Sequence, residues 1–318
     1  MILKTMILLF GFFILIKGAD ILVDGSSGLA ENFKVSKMLI GLTIVAFGTS
    51  MPEFAVCMKS MLSGSSDIAL GNIIGGNTLN IWLILGCCAV IHPLSVKSNT
   101  VKKELPIATV ITILLSILLA DDFFNKSKVN VLTRTDGIIL LLFFMVFIYY
   151  LITLIHSKIT EKEEKRKQLP SIPKCLFFIG LGLIGVILGS NLVVDSTIYI
   201  ASAIGVSERI ISLTIVALGT SLPELVTGIT STRKGEYDLV IGNIVGSNIL
   251  NIGGVIGIST VILNGTGIVT FSYVDLMAMI LSSVLLFMAS FNDYKISRRE
   301  GILFLILFII YYSYVITS

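Results

Sequence analysis

The sequence predicts an all-α polytopic membrane protein with ten transmembrane helices in two inverted five-helix repeats. Three observations carry that expectation. Of the 318 residues, 55% are hydrophobic and 14% charged, with a mean hydropathy of +0.97, whereas a soluble domain is about one-quarter charged. Apolar runs near the length of about 20 residues that spans a bilayer recur along the whole chain. Shifted by 171 residues, the chain matches itself without a gap: 22 of 42 positions are identical between 40–81 and 211–252. The net charge of +3 is small and the basic residues are spread over short connections, which excludes nucleic-acid binding and cytosolic catalysis.

The first apolar run, 5–30, follows Lys4 as a signal peptide would. It has no small-residue cleavage site, however, and carries Lys17, Asp20 and Asp24 near its end. Gly18 and Asp24 also match Gly189 and Asp195 at the same offset, so the run has an internal copy and reads as a membrane helix. The runs 36–62 and 67–91 hold the repeated motifs, and 104–120 and 135–157 complete a first unit, 1–157. A second unit, 173–318, follows with runs at 173–202, 208–232, 237–263, 272–291 and 300–316. Between them lies a linker, 158–172, whose mixed charges predict a solvated segment. Ten spans sort the connections into two sets holding 16 and 6 Lys and Arg; the richer set, which includes the linker, belongs in the cytoplasm and both termini outside. Five spans per unit make the second copy enter the membrane from the opposite side, the arrangement of secondary transporters with a site at the repeat interface. Cys57, Cys87, Cys88 and Cys175 have no CxxC spacing and lie in or beside apolar runs, as small buried hydrophobes do.

What the repeats share best is polar. TIVAFGTSMPE (43–53) aligns with TIVALGTSLPE (214–224), and GNIIGGNTLNI (71–81) with GNIVGSNILNI (242–252). Pro52 and Pro223 cannot donate to the carbonyls of Gly48 and Gly219, so each span breaks there and the freed carbonyls need partners. Glu53 and Glu224 lie beside these breaks with no basic residue at their depth, and an intramembrane carboxylate costs at least about 2.5–3.5 kcal/mol. Their counter-charge has to come from outside, as a proton or a metal cation. With Thr49, Ser50, Thr220, Ser221, the amides of Asn72, Asn80, Asn243 and Asn251, and the freed carbonyls, they form an oxygen cage suited to a hard cation. His92 and His156 fall at span ends and read as interfacial. Gly71, Gly75, Gly76, Gly242 and Gly246 read as close-packing surfaces between helices.

At these motifs the chain resembles the calcium/cation antiporter superfamily, specifically the prokaryotic sodium/calcium exchangers. Both hallmarks, G-T-S-x-P-E and G-N-x-x-G-x-N-x-x-N, occur twice at one offset, and the resemblance covers the whole chain. It implies that Glu53 and Glu224 bind calcium with Thr49 and Thr220. It further implies that Ala46, Ser50, Ala217, Ser221 and Ser247 complete flanking sodium sites, that Asn80 and Asn251 line the centre, and that the first and sixth helices slide across the others during alternating access. Transported sodium and calcium are then the only ions called for, with no cofactor and no obligate protein partner beyond the bilayer. Two departures stand out: Gly76 replaces a serine common among relatives, opposite Ser247, and Asn251 stands where some relatives have Asp. A proton-driven calcium antiporter of the same fold is the alternative expectation. An intramembrane hydrolase lacks any nucleophile-base arrangement.

Overall fold

The computed structural model describes residues 2–124, 129–156, 170–205, 217–267, 269 and 272–317, so the expected linker falls almost wholly outside them. The helices are α1 (Ile2–Phe33), α2 (Lys37–Thr49), α3 (Met51–Leu62), α4 (Ser66–Ile91), α5 (Leu105–Leu118), α6 (Asp121–Phe124), α7 (Arg134–His156), α8 (Ile172–Ala203), α9 (Ala217–Thr220), α10 (Leu222–Arg233), α11 (Tyr237–Ile262), α12 (Tyr273–Asp293) and α13 (Arg298–Thr317). A two-residue antiparallel ladder, β1 (Leu94–Ser95) with β2 (Lys295–Ile296), ties the connection after α4 to that after α12.

Among the described residues, seven helices are long and apolar enough to cross a membrane, and the pair α2 and α3, bent by 46°, makes an eighth candidate. The expected span 104–120 appears as the 14-residue α5, entered through a π-helical turn at Thr100–Glu104 that carries Lys102 and Lys103. The expected span 208–232 begins outside the described residues and continues as α9 and α10.

The buried apolar side chains form two clusters. One lines the α1–α8 interface through Leu15, Leu22, Cys175, Val186 and Val193. The larger joins α3, α4, α5, α7, α11, α12 and α13 through residues such as Cys57, Ile84, Leu115, Phe147, Ile252, Met279 and Phe304. Close approach of α1 and α8 depends on glycine, because lipid gives apolar helices no reason to associate beyond packing itself. A Cβ on Gly18 would come within 2.6 Å of the Val186 nitrogen, and one on Gly189 within 2.5 Å of the Leu15 nitrogen. These two contacts are the same contact under the 171-residue offset, read once from each helix.

Other contacts obey the same exchange. Asn77 and Asn248, which are repeat mates, bond to each other reciprocally: Asn77 Nδ2 donates to the Asn248 carbonyl at 3.2 Å and Asn248 Nδ2 to the Asn77 carbonyl at 3.3 Å. The mates Thr112 and Ser283 lie 3.3 Å apart, hydroxyl to hydroxyl. A residue can touch its own mate only at a two-fold axis, so these pairs mark one passing between α4 and α11 and between α5 and α12. The ion pairs break the symmetry. Lys234 Nζ reaches Asp24 at 2.7 Å and Asp20 at 3.5 Å, fastening α1 to the α10–α11 connection, whereas the mate of Lys234 is Ser63.

Candidate functional site

Each proline break is built the same way in both halves. Proline is compatible with the first turn of a helix, where no N–H bond is owed, so Pro52 starts α3 and Pro223 starts α10. The residue before each new helix sits in the bridge region of backbone space, Ser50 at φ −83°, ψ 4° and Ser221 at φ −89°, ψ 3°. Glu53 and Glu224 therefore fall in the first turn of the outgoing helix, where the N-terminal dipole favours negative charge. Both are buried, at 2% and 1% exposure. Among the described residues neither pairs with a basic side chain, and the two lie within electrostatic reach of each other. Ser50 Oγ donates across the halves to Glu224 Oε1 at 3.3 Å.

The α4 and α11 helices cross beside the breaks and change geometry there. A π-helical stretch begins at Asn80 in α4 (Asn80–Leu85) and at Leu250 in α11 (Leu250–Ile256). Such π segments are frequent at functional sites, and the sequence reading did not anticipate them. Thr49 Oγ1 lies 3.0 Å from Asn243 Oδ1, and Thr220 Oγ1 lies 3.3 Å from Asn72 Oδ1, again mirror contacts. Asn72 and Asn243 thus hold the threonines through their side-chain carbonyls. One end of this arrangement is deeper than the other, since Thr49 and Asn243 are buried and Thr220 and Asn72 half-buried.

Of the buried side-chain oxygens without a hydrogen-bond partner among the described residues, six belong to the repeated motifs: Glu53 Oε2, Glu224 Oε2, Asn80 Oδ1, Asn251 Oδ1, Ser221 Oγ and Ser247 Oγ. Each such group costs about 1–3 kcal/mol of desolvation if nothing satisfies it. Carboxylate, amide and hydroxyl oxygens without sulfur or imidazole fit a hard cation such as calcium or sodium. No group of three or more His, Cys, Asp or Glu gathers among the described residues, so the site has two acids and its other donors are neutral. Cys57, Cys88 and Cys175 are buried as small hydrophobes, and Cys87 is half-buried.

Remaining expectations divide. Gly76 faces the site: a Cβ there would meet only Ser221 Oγ, at 4.0 Å. The Ala46 carbonyl accepts the Ser50 N–H at 3.0 Å, and the side chain of Ala217 lies outside the described residues. The carbonyl of Gly219, expected to join the cage, is instead taken by the Ser190 hydroxyl of α8 at 3.1 Å. The packing role of the glycines holds in the second copy, where a Cβ on Gly242 would fall 2.6 Å from the Met38 carbonyl. It fails in the first, where Gly71 and Gly75 have open space around them. His92 is exposed and stacks on Tyr237, with ring centroids 5.0 Å apart.

Sequence reasoning missed Asn77, Asn248 and Ser190. The asparagines were legible, being three residues before Asn80 and Asn251 and identical in both copies. Ser190 was not, because its mate is Ala19 and repeat logic passes over it.

A model of the sodium/calcium exchanger protein family matches residues 3–153 and 174–317. The chain belongs to that family. It is 36% identical over 323 residues to a putative antiporter, CaxA, of Alkalimonas amylolytica, covering 98% of each chain. It is 27% identical over 339 residues to the sodium/calcium exchanger MaX1 of Methanosarcina acetivorans, covering 96% of each. Among solved structures it resembles the sodium-calcium exchanger NCX_Mj with a TM-score of 0.83 at 34% identity, covering 97% of each chain. As in that exchanger, the fold is an all-helical polytopic membrane fold, and a family defined by ion exchange accounts for a buried site of two acids and neutral oxygens.

Proposed function

We propose that this chain is a secondary active antiporter that exchanges sodium for calcium across the cell membrane by alternating access. The observation that carries the reading is the pair Glu53 and Glu224, buried in mirrored helix breaks and paired with no basic side chain among the described residues. Two carboxylates balance one divalent ion. The same carboxylates, with the Ser221 and Ser247 hydroxyls beside them, also serve sodium, so the two cations compete for one charge and cannot both be fully bound. Competition for shared ligands is what couples their movements.

Proposed ligands for calcium are Glu53, Glu224, Thr49 and Thr220. For sodium they are Ser50, Ser221, Ser247 and the carbonyls of Ala46 and Ala217, with Asn80 and Asn251 at the centre and Asn72 and Asn243 supporting the threonines. Gly76 leaves the sodium position beside Ser221 one hydroxyl short. The site belongs to an architecture of ten spans, a first unit 1–157 and a second 173–318 joined by the cytoplasmic linker 158–172, with both termini extracellular. The two-fold exchange of contacts, the two matched family segments and the Lys and Arg distribution support that arrangement. The half-buried end at Thr220 and Asn72 is then the extracellular end, and the α1–α8 pair, with its own apolar cluster, is the unit that shifts against the rest. The chain needs no cofactor and no protein partner for this cycle.

The test is uptake of radiolabelled calcium into proteoliposomes. Uptake should follow an outward sodium gradient without a pH gradient. Uptake that ignores sodium and follows pH would replace this reading with proton-driven exchange.

A further inference from the structure

We infer that Asn77 and Asn248 are positioning residues that aim the side-chain carbonyls of Asn80 and Asn251 at the transported cation. The inference rests on the exchanger reading above and assigns roles that reading leaves empty.

An asparagine amide has a donor end and an acceptor end, and which end faces a site is set by what its neighbours accept. Here the chain of constraints starts from main-chain carbonyls, which can only accept. The Asn77 carbonyl lies 3.3 Å from Asn248 Nδ2, which fixes the donor end of Asn248. Asn248 Oδ1 must then point the other way, and it accepts from Asn80 Nδ2 at 2.9 Å. With its donor end spent, Asn80 turns Oδ1 outward, and that oxygen is buried without a partner. The mirror chain runs from the Asn248 carbonyl to Asn77 Nδ2 at 3.2 Å. It continues from Asn77 Oδ1, which accepts from Asn251 Nδ2 at 3.3 Å, and ends at Asn251 Oδ1, also buried without a partner.

All four side chains are at most 4% exposed, so water does not scramble these orientations. A cation needs the negative end of each amide dipole, and a flipped amide would offer N–H instead. Four asparagines therefore divide their labour: two present oxygen to the ion, and two, on the axis, forbid the flip. Each positioning residue controls only the partner in the opposite half. Removing the Asn77 side chain frees Asn251 but leaves the Asn77 main-chain carbonyl, which keeps Asn248 and hence Asn80 in place.

That separation defines the test, carried out on the purified full-length protein by equilibrium binding of radiolabelled calcium, with size-exclusion profiles to check folding. Asn77→Ala and Asn248→Ala should each weaken calcium binding about tenfold or more, the scale of one lost contact to a charged group, with the number of sites per folded chain unchanged. Asn77→Asp keeps the acceptor for Asn251 Nδ2 but loses the donor to the Asn248 carbonyl, and should bind calcium more tightly than Asn77→Ala. A carboxylate presents oxygen in either orientation, so Asn251→Asp should restore binding to Asn77→Ala, and Asn80→Asp to Asn248→Ala. The crossed combinations should not recover, because an aspartate at 80 would face Asn248 Oδ1, and one at 251 would face Asn77 Oδ1. Unchanged affinity with fewer folded chains in the alanine variants, binding by Asn77→Asp no tighter than by Asn77→Ala, or equal rescue by matched and crossed aspartates would each overturn the assignment. Absence of calcium binding by the wild-type protein would instead overturn the exchanger reading itself.

Discussion

The two halves of the site share a backbone and differ in their hydroxyls. At 46–53 with 71–80, and at 217–224 with 242–251, the prolines, glutamates and asparagines are the same, as are Thr49 and Thr220. Yet Ser247 answers to Gly76 and Ser190 to Ala19. Glu224 accepts a cross-half hydroxyl bond from Ser50, while Ser221 Oγ, the mate of the Ser50 hydroxyl, has no partner among the described residues. Two-fold symmetry thus holds for the carboxylates and for Ser50 with Ser221, and lapses at Ser247. Under the proposed exchange, calcium draws on both halves at once, whereas the two proposed sodium positions beside Ser221 and Ser247 are separate and free to diverge.

Substitutions at these positions separate the shared carboxylates from the unshared hydroxyls. Glu53→Gln and Glu224→Gln should each lower sodium-driven calcium uptake by at least about 100-fold, since either leaves one carboxylate against a divalent ion in a buried site. Losses that differ strongly between the two in a vesicle uptake assay would break the symmetry of the charged pair. Next in size, Ser247→Gly should raise the sodium concentration for half-maximal exchange about tenfold, by removing a buried hydroxyl that contacts an ion. Gly76→Ser should lower it by a smaller factor, about two- to fivefold. There is room for the new side chain, and calcium affinity should stay put; a sodium dependence unchanged in midpoint and steepness would show that position 76 lies off the ion path.

The third contrast concerns the freed carbonyls. Ser190→Ala should cost about 1–3 kcal/mol by leaving the Gly219 carbonyl unsatisfied, read as a lower midpoint in thermal unfolding of the detergent-solubilised protein. No drop would mean that carbonyl finds another partner. The smallest effect is expected at the one-sided ion pairs. Lys234→Gln removes contacts to Asp20 and Asp24 that are part-exposed, so its stability cost should stay within about 1 kcal/mol. A much larger loss would make the Lys234 contacts a main fastening of α1 rather than a surface ion pair.

Much of this was legible in the sequence because membrane proteins keep polar residues inside a span only at a cost. Glu53 and Glu224 could be picked out without an alignment, since each stands uncompensated beside a proline in an apolar run, and the offset of 171 residues paired them before any geometry was known. The bend between α2 and α3 followed from Pro52 for the same reason. Three-dimensional neighbours were less readable. The hold of Asn243 on Thr49, and of Asn72 on Thr220, joins residues about half the chain apart, and no periodicity encodes which end of an amide is engaged. The π segments at Asn80 and Leu250 have no side-chain signature in the motifs that hold them. Gly71 and Gly75 misled for a related reason: identical glycines serve as packing surfaces only where a helix lies against them, as α2 does against Gly242.

The central claim is that one calcium ion shares its ligands, Glu53 and Glu224, with sodium. It is tested most directly by titrating the purified protein with radiolabelled calcium at rising sodium concentrations, beside Glu53→Gln and Glu224→Gln. The account predicts one calcium per chain, displaced competitively by sodium and lost in both variants. Calcium that stays bound at saturating sodium, or that binds normally when either glutamate is replaced, would contradict it.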